Sequence, residues 1–270
     1  MWERVQESVE YIRKRQIKMP EIGIILGSGL GNLADDIQID HSIDYADIPH
    51  FPISTVPGHQ GKLLFGTLSG KYVVAMQGRF HYYEGYDMKQ VTFPVRVMKY
   101  LGIQLLIVSN ASGGVNPKYQ VGDIVAITDH INMFPEHPLR GENDERFGPR
   151  FLNMSEPYDL ISLALLEKCS EELQIPIKKG IYYGISGPTF ETMSEYNMIR
   201  FVGADCVGMS TVPEVIVARH MSLKCLGISV ISDIATQEGI EIVAHEEVLK
   251  AVDAAGPKVR RLIQYFIEKL

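Results

Sequence analysis

The strongest constraint on the fold is a set of short apolar runs that are hydrophobic on every side. Ile22-Gly23-Ile24-Ile25-Leu26, residues 104–109 and residues 226–231 are too short for ordinary helices and rich in branched aliphatics. A strand with no polar face must be covered on both faces, so these runs predict buried strands of a parallel or mixed sheet sandwiched by helices. Residues 123–129 and 180–186 read as further strands, and 63–68 with 72–76 as a hairpin around Ser69-Gly70. Helical spacing appears between them. Val5, Val9 and Ile12 begin a helix running to about residue 18, stopped by Pro20. Others cover 91–101, 162–173, 214–222 and 245–270, the last with Gly256-Pro257 as a place to bend. Alternation of strand and helix over 270 residues points to an α/β protein. Residues 134–155 are polar and rich in Pro, Gly and Arg; a loop that long is expected to be a lid or a subunit contact.

Charge and composition exclude several classes. With 46% hydrophobic and 22% charged residues the chain fits a globular enzyme. A net charge of −7 without a long basic run argues against nucleic acid or an anionic membrane as partner. The three cysteines, Cys169, Cys206 and Cys225, form no Cys-x-x-Cys pair and are expected to be buried hydrophobes in a reducing compartment. No apolar run approaches signal-peptide or membrane-span length, so a cytoplasmic protein is expected. The eight histidines include no pair at helical metal-binding spacing, so no metal is expected. No Gly-x-Ser-x-Gly elbow is present.

Several segments carry candidate chemistry. Gly27-Ser28-Gly29-Leu30-Gly31 follows a predicted strand and offers backbone N–H groups and the Ser28 hydroxyl to an anion. It fits neither a dinucleotide fingerprint, since Asn32 falls where a glycine is needed, nor a Walker loop. Arg79 and His81, two residues apart, face one side of an extended segment, where they make either an oxyanion clamp or a surface ion pair beside an ordinary histidine. Asn110, in the glycine-rich turn expected after strand 104–109, either meets a ligand or closes an Asx turn. Phe190 places a ring-sized aromatic beside the Glu191 carboxylate, and Gly208-Met209-Ser210 adds a hydroxyl. Together they suit a flat, hydrogen-bonding heterocycle at one end of a pocket and an anion at the other.

Together these segments resemble the trimeric purine nucleoside phosphorylases, in the family that also holds the methylthioadenosine phosphorylases. The resemblance runs through 27–31, Ser54-Thr55-Val56-Pro57-Gly58-His59, 77–85, Val91-Thr92-Phe93-Pro94-Val95-Arg96, 110–117, 187–192 and 208–220. It implies one phosphorylase/hydrolase-like domain over residues 1–270, with a mixed, distorted, barrel-like sheet surrounded by helices. It also implies phosphorolysis of purine (deoxy)ribonucleosides to free base and α-pentose-1-phosphate, with phosphate as co-substrate and no cofactor. On the same ground phosphate would meet Ser28, His59, Arg79, His81, the backbone at Ala111, and Ser210. Ribose would meet Tyr83, Met209 and His245, and the base Phe190, Glu191 and Asp233. His81, Glu191 and Asp233 would be the catalytic groups. Phe151 would reach a neighbouring subunit's site in a homotrimer.

Asp233 departs from the family pattern, which has asparagine there. An ionised carboxylate only accepts, which suits a 6-amino purine, whereas a protonated one can donate to N7 or O6. Inosine and guanosine are the expected substrates, with adenosine also open. The alternative is a methylthioadenosine phosphorylase; His245 argues against it, because a methylthio group needs an apolar wall.

Overall fold

The computed structural model describes residues 1–15, 17–27, 31–55, 60–234 and 245–270, with backbone alone at 245–249 and 251. The chain opens with α1 (Trp2–Arg13), β1 (Ile22–Leu26), β2 (Gln38–Asp44), β3 (Lys62–Leu68) and β4 (Lys71–Gln77). There follow α2 (Met88–Val91), α3 (Phe93–Leu101), β5 (Leu105–Gly114), β6 (Ile124–Asn132) and α4 (Leu160–Leu173). The last part holds β7 (Ile177–Gly184), α5 (Met193–Phe201), β8 (Cys206–Gly208), α6 (Val212–His220), β9 (Lys224–Ile234) and α7 (His245–Lys269).

Among the described residues, nine strands form one sheet in the order β2-β3-β4-β1-β5-β8-β7-β6-β9. The last strand, β9, also pairs in parallel with β5, so β5-β8-β7-β6-β9 closes into a barrel. The barrel is mixed: β8 runs antiparallel to β5 and β6 antiparallel to β9, while the remaining pairs are parallel. The expected barrel-like α/β sheet is therefore present. Strand β1, buried at every position, lies parallel to β4 and β5, as its unbroken apolar run demands. The β3–β4 hairpin turns through Ser69 and Gly70, both at positive φ (48° and 83°), the geometry that matches strand twist.

Several elements differ from their sequence expectations. Helix α1 stops at Arg13, because Arg15 folds back over the Tyr11 ring and donates to the Tyr11 carbonyl, satisfying the last turn from outside. Strand β5 does not end in a glycine turn at Ser109 but continues to Gly114. Its small residues let β9 and β8 approach on either side. Strands β2 and β8 and helix α5 lacked a hydrophobic period long enough to be seen. The start of α5 was nevertheless written in a capping box, Thr192 with Glu195. Residues 133–159 carry neither helix nor strand. They are pinned by Asn143 donating to the Gly148 carbonyl at 3.0 Å and His220 donating to the Pro149 carbonyl at 3.0 Å.

Candidate active site

The ends of β4, β5, β8 and β9 and the loop before α5 enclose a cavity of about 540 Å³. Arg79, His81, Tyr83, Ala111, Phe190, Glu191, Met209, Ser210 and Asp233 all line it. The cavity sits at the carboxyl-terminal ends of β5 and β9, whose last residues, Asn110 to Gly113 and Ser232 to Asp233, line it. Of the other expected site residues, Ser28 and His59 lie outside the described residues. His245 begins α7, with its side chain not described. Phe151 is away from the cavity, 90% exposed, beside a second groove with His130, His137, Arg140 and Arg150.

At one end stands Arg79, 1% exposed. Its guanidinium donates to Glu214 Oε1 at 3.0 Å, the Ser109 carbonyl at 2.7 Å and the Ser210 hydroxyl at 3.1 Å. His81 is held by Glu84, whose Oε1 accepts from the His81 backbone at 2.7 Å and lies 3.1 Å from Nδ1. Glu84 Oε2 accepts from the Thr55 backbone and hydroxyl. Burial alone would raise the Glu84 carboxyl, but hydrogen bonds from His81 and Thr55 outweigh it and hold it at about 2. The ionised carboxylate places the His81 proton on Nδ1. Burial, with a smaller push from Arg79, lowers the imidazole below its usual value, so His81 acts as a neutral hydrogen-bonding group rather than a second cation.

Ser210 hangs on a strained turn. Thr211 has φ 70° and ψ −53°, and the Val212 N–H donates to the Ser210 carbonyl at 2.7 Å, closing a γ-turn of the rare positive-φ kind. Thr211 Oγ1 accepts from Asn110 Nδ2 at 2.7 Å, and Asn110 Oδ1 accepts from Ser229 at 2.6 Å. Ser229 in turn lies 2.6 Å from the Ser112 hydroxyl. Asn110, which also lines the cavity, thus has both ends of its amide bonded within the protein, and it lies in strand β5 rather than in the Asx turn given as one alternative.

At the other end two carboxyls face the cavity, Glu191 at 8% exposure and Asp233 at 7%. The Ser232 hydroxyl is 2.6 Å from Asp233 Oδ1, and the Tyr196 hydroxyl donates to Oδ2 at 3.3 Å. Burial, reinforced by the charges of Asp233 and Glu195, pushes the Glu191 carboxyl up against the opposing backbone and Tyr196 hydrogen bonds. Phe190, 48% exposed, supplies a flat apolar wall beside them. The motifs did not disclose Glu84, Glu214, Ser232 or Tyr196; only the capping box beginning at Thr192 hinted that Tyr196 is helical.

One cavity therefore offers a cation and hydroxyl at one end and two carboxyls beside an aromatic ring at the other. Among the described residues no group of three or more His, Cys, Asp and Glu is placed to hold a metal ion, and no helix is long and apolar enough to cross a membrane.

The phosphorylase superfamily matches residues 21–268. The chain is similar to purine nucleoside phosphorylase 1 of Bacillus subtilis (strain 168), at 48% identity over 99% of this chain and 98% of the relative. It is similar in structure to the Schistosoma mansoni purine nucleoside phosphorylase in complex with adenosine, with a TM-score of 0.93, 42% identity and coverage of 99% and 97% of the two chains. A Schistosoma purine nucleoside phosphorylase in complex with hypoxanthine matches with a TM-score of 0.93 and 41% identity, over 99% and 97% of the two chains. Because the match runs through every segment that lines the cavity, the chain belongs to the phosphorylase superfamily and, within it, to the purine nucleoside phosphorylases.

Proposed function

We propose that the two ends of the cavity divide a purine nucleoside and phosphate between them. Phosphate meets Arg79, His81, Ser210 and the backbone at Ala111; the sequence resemblance adds Ser28 and His59. Ribose lies against Tyr83 and Met209, with His245 added on the same ground. The base meets Phe190, Glu191 and Asp233. The observation that carries this reading is the polarity of the cavity: donors around Arg79 at one end, carboxyls at the other.

The mechanism follows from where charge develops. As the bond from C1′ to N9 breaks, the ribose becomes cationic and the purine anionic. Phosphate held next to C1′ stabilises the cation and then captures it, so proximity and fixed charge lower the barrier without a covalent enzyme intermediate. Arg79 is balanced by Glu214, so phosphate is gripped chiefly by oriented donors, with little net positive charge to hold it after reaction. Glu191 and Asp233 hold the base by its polar edge, and hydrogen bonding or protonation at N7 helps it leave.

The substrates are purine ribo- and deoxyribonucleosides, 6-oxo and 6-amino alike; the adenosine and hypoxanthine complexes of the similar structures support both classes. The unit of action is one domain over residues 1–270, assembled as a homotrimer in which Phe151, exposed on its long loop, reaches a neighbour's cavity. Three buried, free cysteines fit a reducing compartment such as the cytoplasm. The deciding assay follows base release from inosine, guanosine, adenosine and methylthioadenosine with and without phosphate. Phosphate-dependent cleavage of the purine nucleosides is expected. Release without phosphate, or cleavage of methylthioadenosine alone, contradicts the reading.

A further inference from the structure

Helix α3 buries a charge that no ion pair among the described residues balances. Phe93, Val95, Val97 and Met98 make it apolar, yet Arg96 among them is only 5% exposed. The Arg96 Nε and Nη1 atoms have no hydrogen-bond partner among the described residues. The guanidinium lies 4.6 Å over the Phe147 ring, a contact weaker than the cost of taking an ion out of water. Burial lowers the group to about 10, against the opposing charges of Tyr100 and Asp144, so it stays cationic at neutral pH.

Arg96 faces a cavity of about 80 Å³ between α3, the end of α6 and the loop of residues 133–159. This cavity shares no lining residue with the active-site cavity. Lys89 and Arg140 line it as further cations, Glu142 and Asp144 as carboxylates. Asp144 is already held by Arg146, which donates from Nε to Oδ1 at 2.7 Å and from Nη2 to Oδ2 at 2.6 Å. Lys89, Arg96 and Arg140 then face only the exposed Glu142.

His220, 3% exposed at the end of α6, forms another wall. Its Nε2 donates to the Pro149 carbonyl at 3.0 Å, so that nitrogen carries the proton. Burial, reinforced by Arg96, lowers the imidazole below its usual value despite the bond to Pro149. Nδ1 is therefore a bare acceptor, and it too has no partner among the described residues.

One wall thus offers donors and another an acceptor. About 10–15 Å³ admits a single water, so a cavity of about 80 Å³ has room for an ion with four oxygens. Water meets the hydrogen bonds but leaves the charge unbalanced. A carboxylate balances the charge but has no hydrogen to give Nδ1. Hydrogen phosphate does both: its charged oxygens accept from Arg96, and its P–OH donates to Nδ1. We propose that Arg96 and His220 form a second oxyanion site, for inorganic phosphate, that fastens the 133–159 loop to α3 and α6. It stands apart from the purine reading given above.

The test is equilibrium dialysis of labelled phosphate against the wild type and Arg96→Gln, counting ions bound per chain. The wild type should bind one more than the variant. Phosphate KM for inosine cleavage should stay within about twofold in Arg96→Gln, since the two cavities share no residue. Equal counts overturn the proposal and leave the cavity to water. Sulfate has no hydrogen to donate at neutral pH, so it should compete for the extra site about tenfold less well than phosphate. Sulfate that competes equally overturns the role of His220 and the choice of phosphate with it. Phosphate should slow trypsin cleavage at Arg140 and Arg150 in the wild type alone; the same slowing in Arg96→Gln overturns the fastening of the loop. Should Arg96→Gln not fold, Lys89→Ala at an exposed position decides: affinity for the extra ion should fall by about threefold, and an unchanged affinity overturns the proposal. One ion in the wild type and none in Arg96→Gln supports this site and counts instead against phosphate at Arg79.

Discussion

Arg79 is engaged by Glu214, Ser109 and Ser210 before any anion arrives, so its geometry is preset rather than induced. Ser210→Ala removes one oriented donor from the anion end and leaves the guanidinium without that partner. We expect the phosphate KM to rise by about tenfold, with nucleoside KM nearly unchanged, measured by varying phosphate at saturating inosine. Glu84 supports the same end from behind. Its folded pKa of about 2 lies below the usual 4.5, so its ionised form stabilises the fold above pH 4.5, and that contribution is lost as pH falls through about 2. Thr55 is exposed, and solvent screening there reduces the effect. Glu84→Gln should lose about 1–2 kcal/mol at neutral pH by urea unfolding, and the difference from wild type should vanish in acid. A difference that persists at the lowest pH would remove the carboxylate charge from the explanation. Arg79, His81, Glu191 and Ser210 were legible as residues because a cation two residues from a histidine, a carboxylate beside an aromatic and a hydroxyl in a Gly-Met-Ser run are distinctive. Their partners were not, since Glu84 and Glu214 look like any surface carboxylate until the fold buries them.

The elements bring these residues together through a few local devices. The γ-turn at Thr211 aims Ser210 at Arg79 as α6 begins, and the hydrogen-bonded row of Thr211, Asn110, Ser229 and Ser112 ties α6 to β5 and β9. A β-branched residue at positive φ costs about 1–3 kcal/mol and persists only where its surroundings hold it. Thr211→Ala keeps the strained backbone but leaves Asn110 Nδ2 without its acceptor. We expect a loss of about 1–3 kcal/mol in stability together with a raised phosphate KM. Unchanged phosphate binding in a destabilised variant would mean the turn only caps the helix. The sequence displayed the helix start through Pro213, but φ at Thr211 depends on what β5 places beneath it.

At the scale of the molecule, barrel closure makes the site. Parallel pairing of β9 with β5 puts Asp233 across from Gly113, and β8 brings Met209 and Ser210 to the same mouth. The proposed trimer belongs to this scale too. Phe151 is 90% exposed on its loop, open to a neighbouring subunit of that trimer. Phe151→Ser should leave the fold intact and lower kcat/KM for inosine by about tenfold, since burying and then losing one aromatic contact is worth about 1–2 kcal/mol. Light scattering of the wild type should give three chains per particle. A monomer of full activity would remove both the trimer and the role of Phe151.

The sequence by itself determined the strands β1, β5 and β9, because a run apolar on every side has no stable place except the middle of a covered sheet. It also offered the residue types of the proposed anion and base ends, because a guanidinium, a hydroxyl in a Gly-Met-Ser run and a carboxylate beside an aromatic keep their chemistry wherever they are placed. Only the tertiary structure decided that Asn110 ties Thr211 to Ser229, that Glu84 orients His81 and that Tyr196 joins Asp233. Those contacts link residues far apart in the chain, and no local pattern encodes a distance that exists only after the barrel closes.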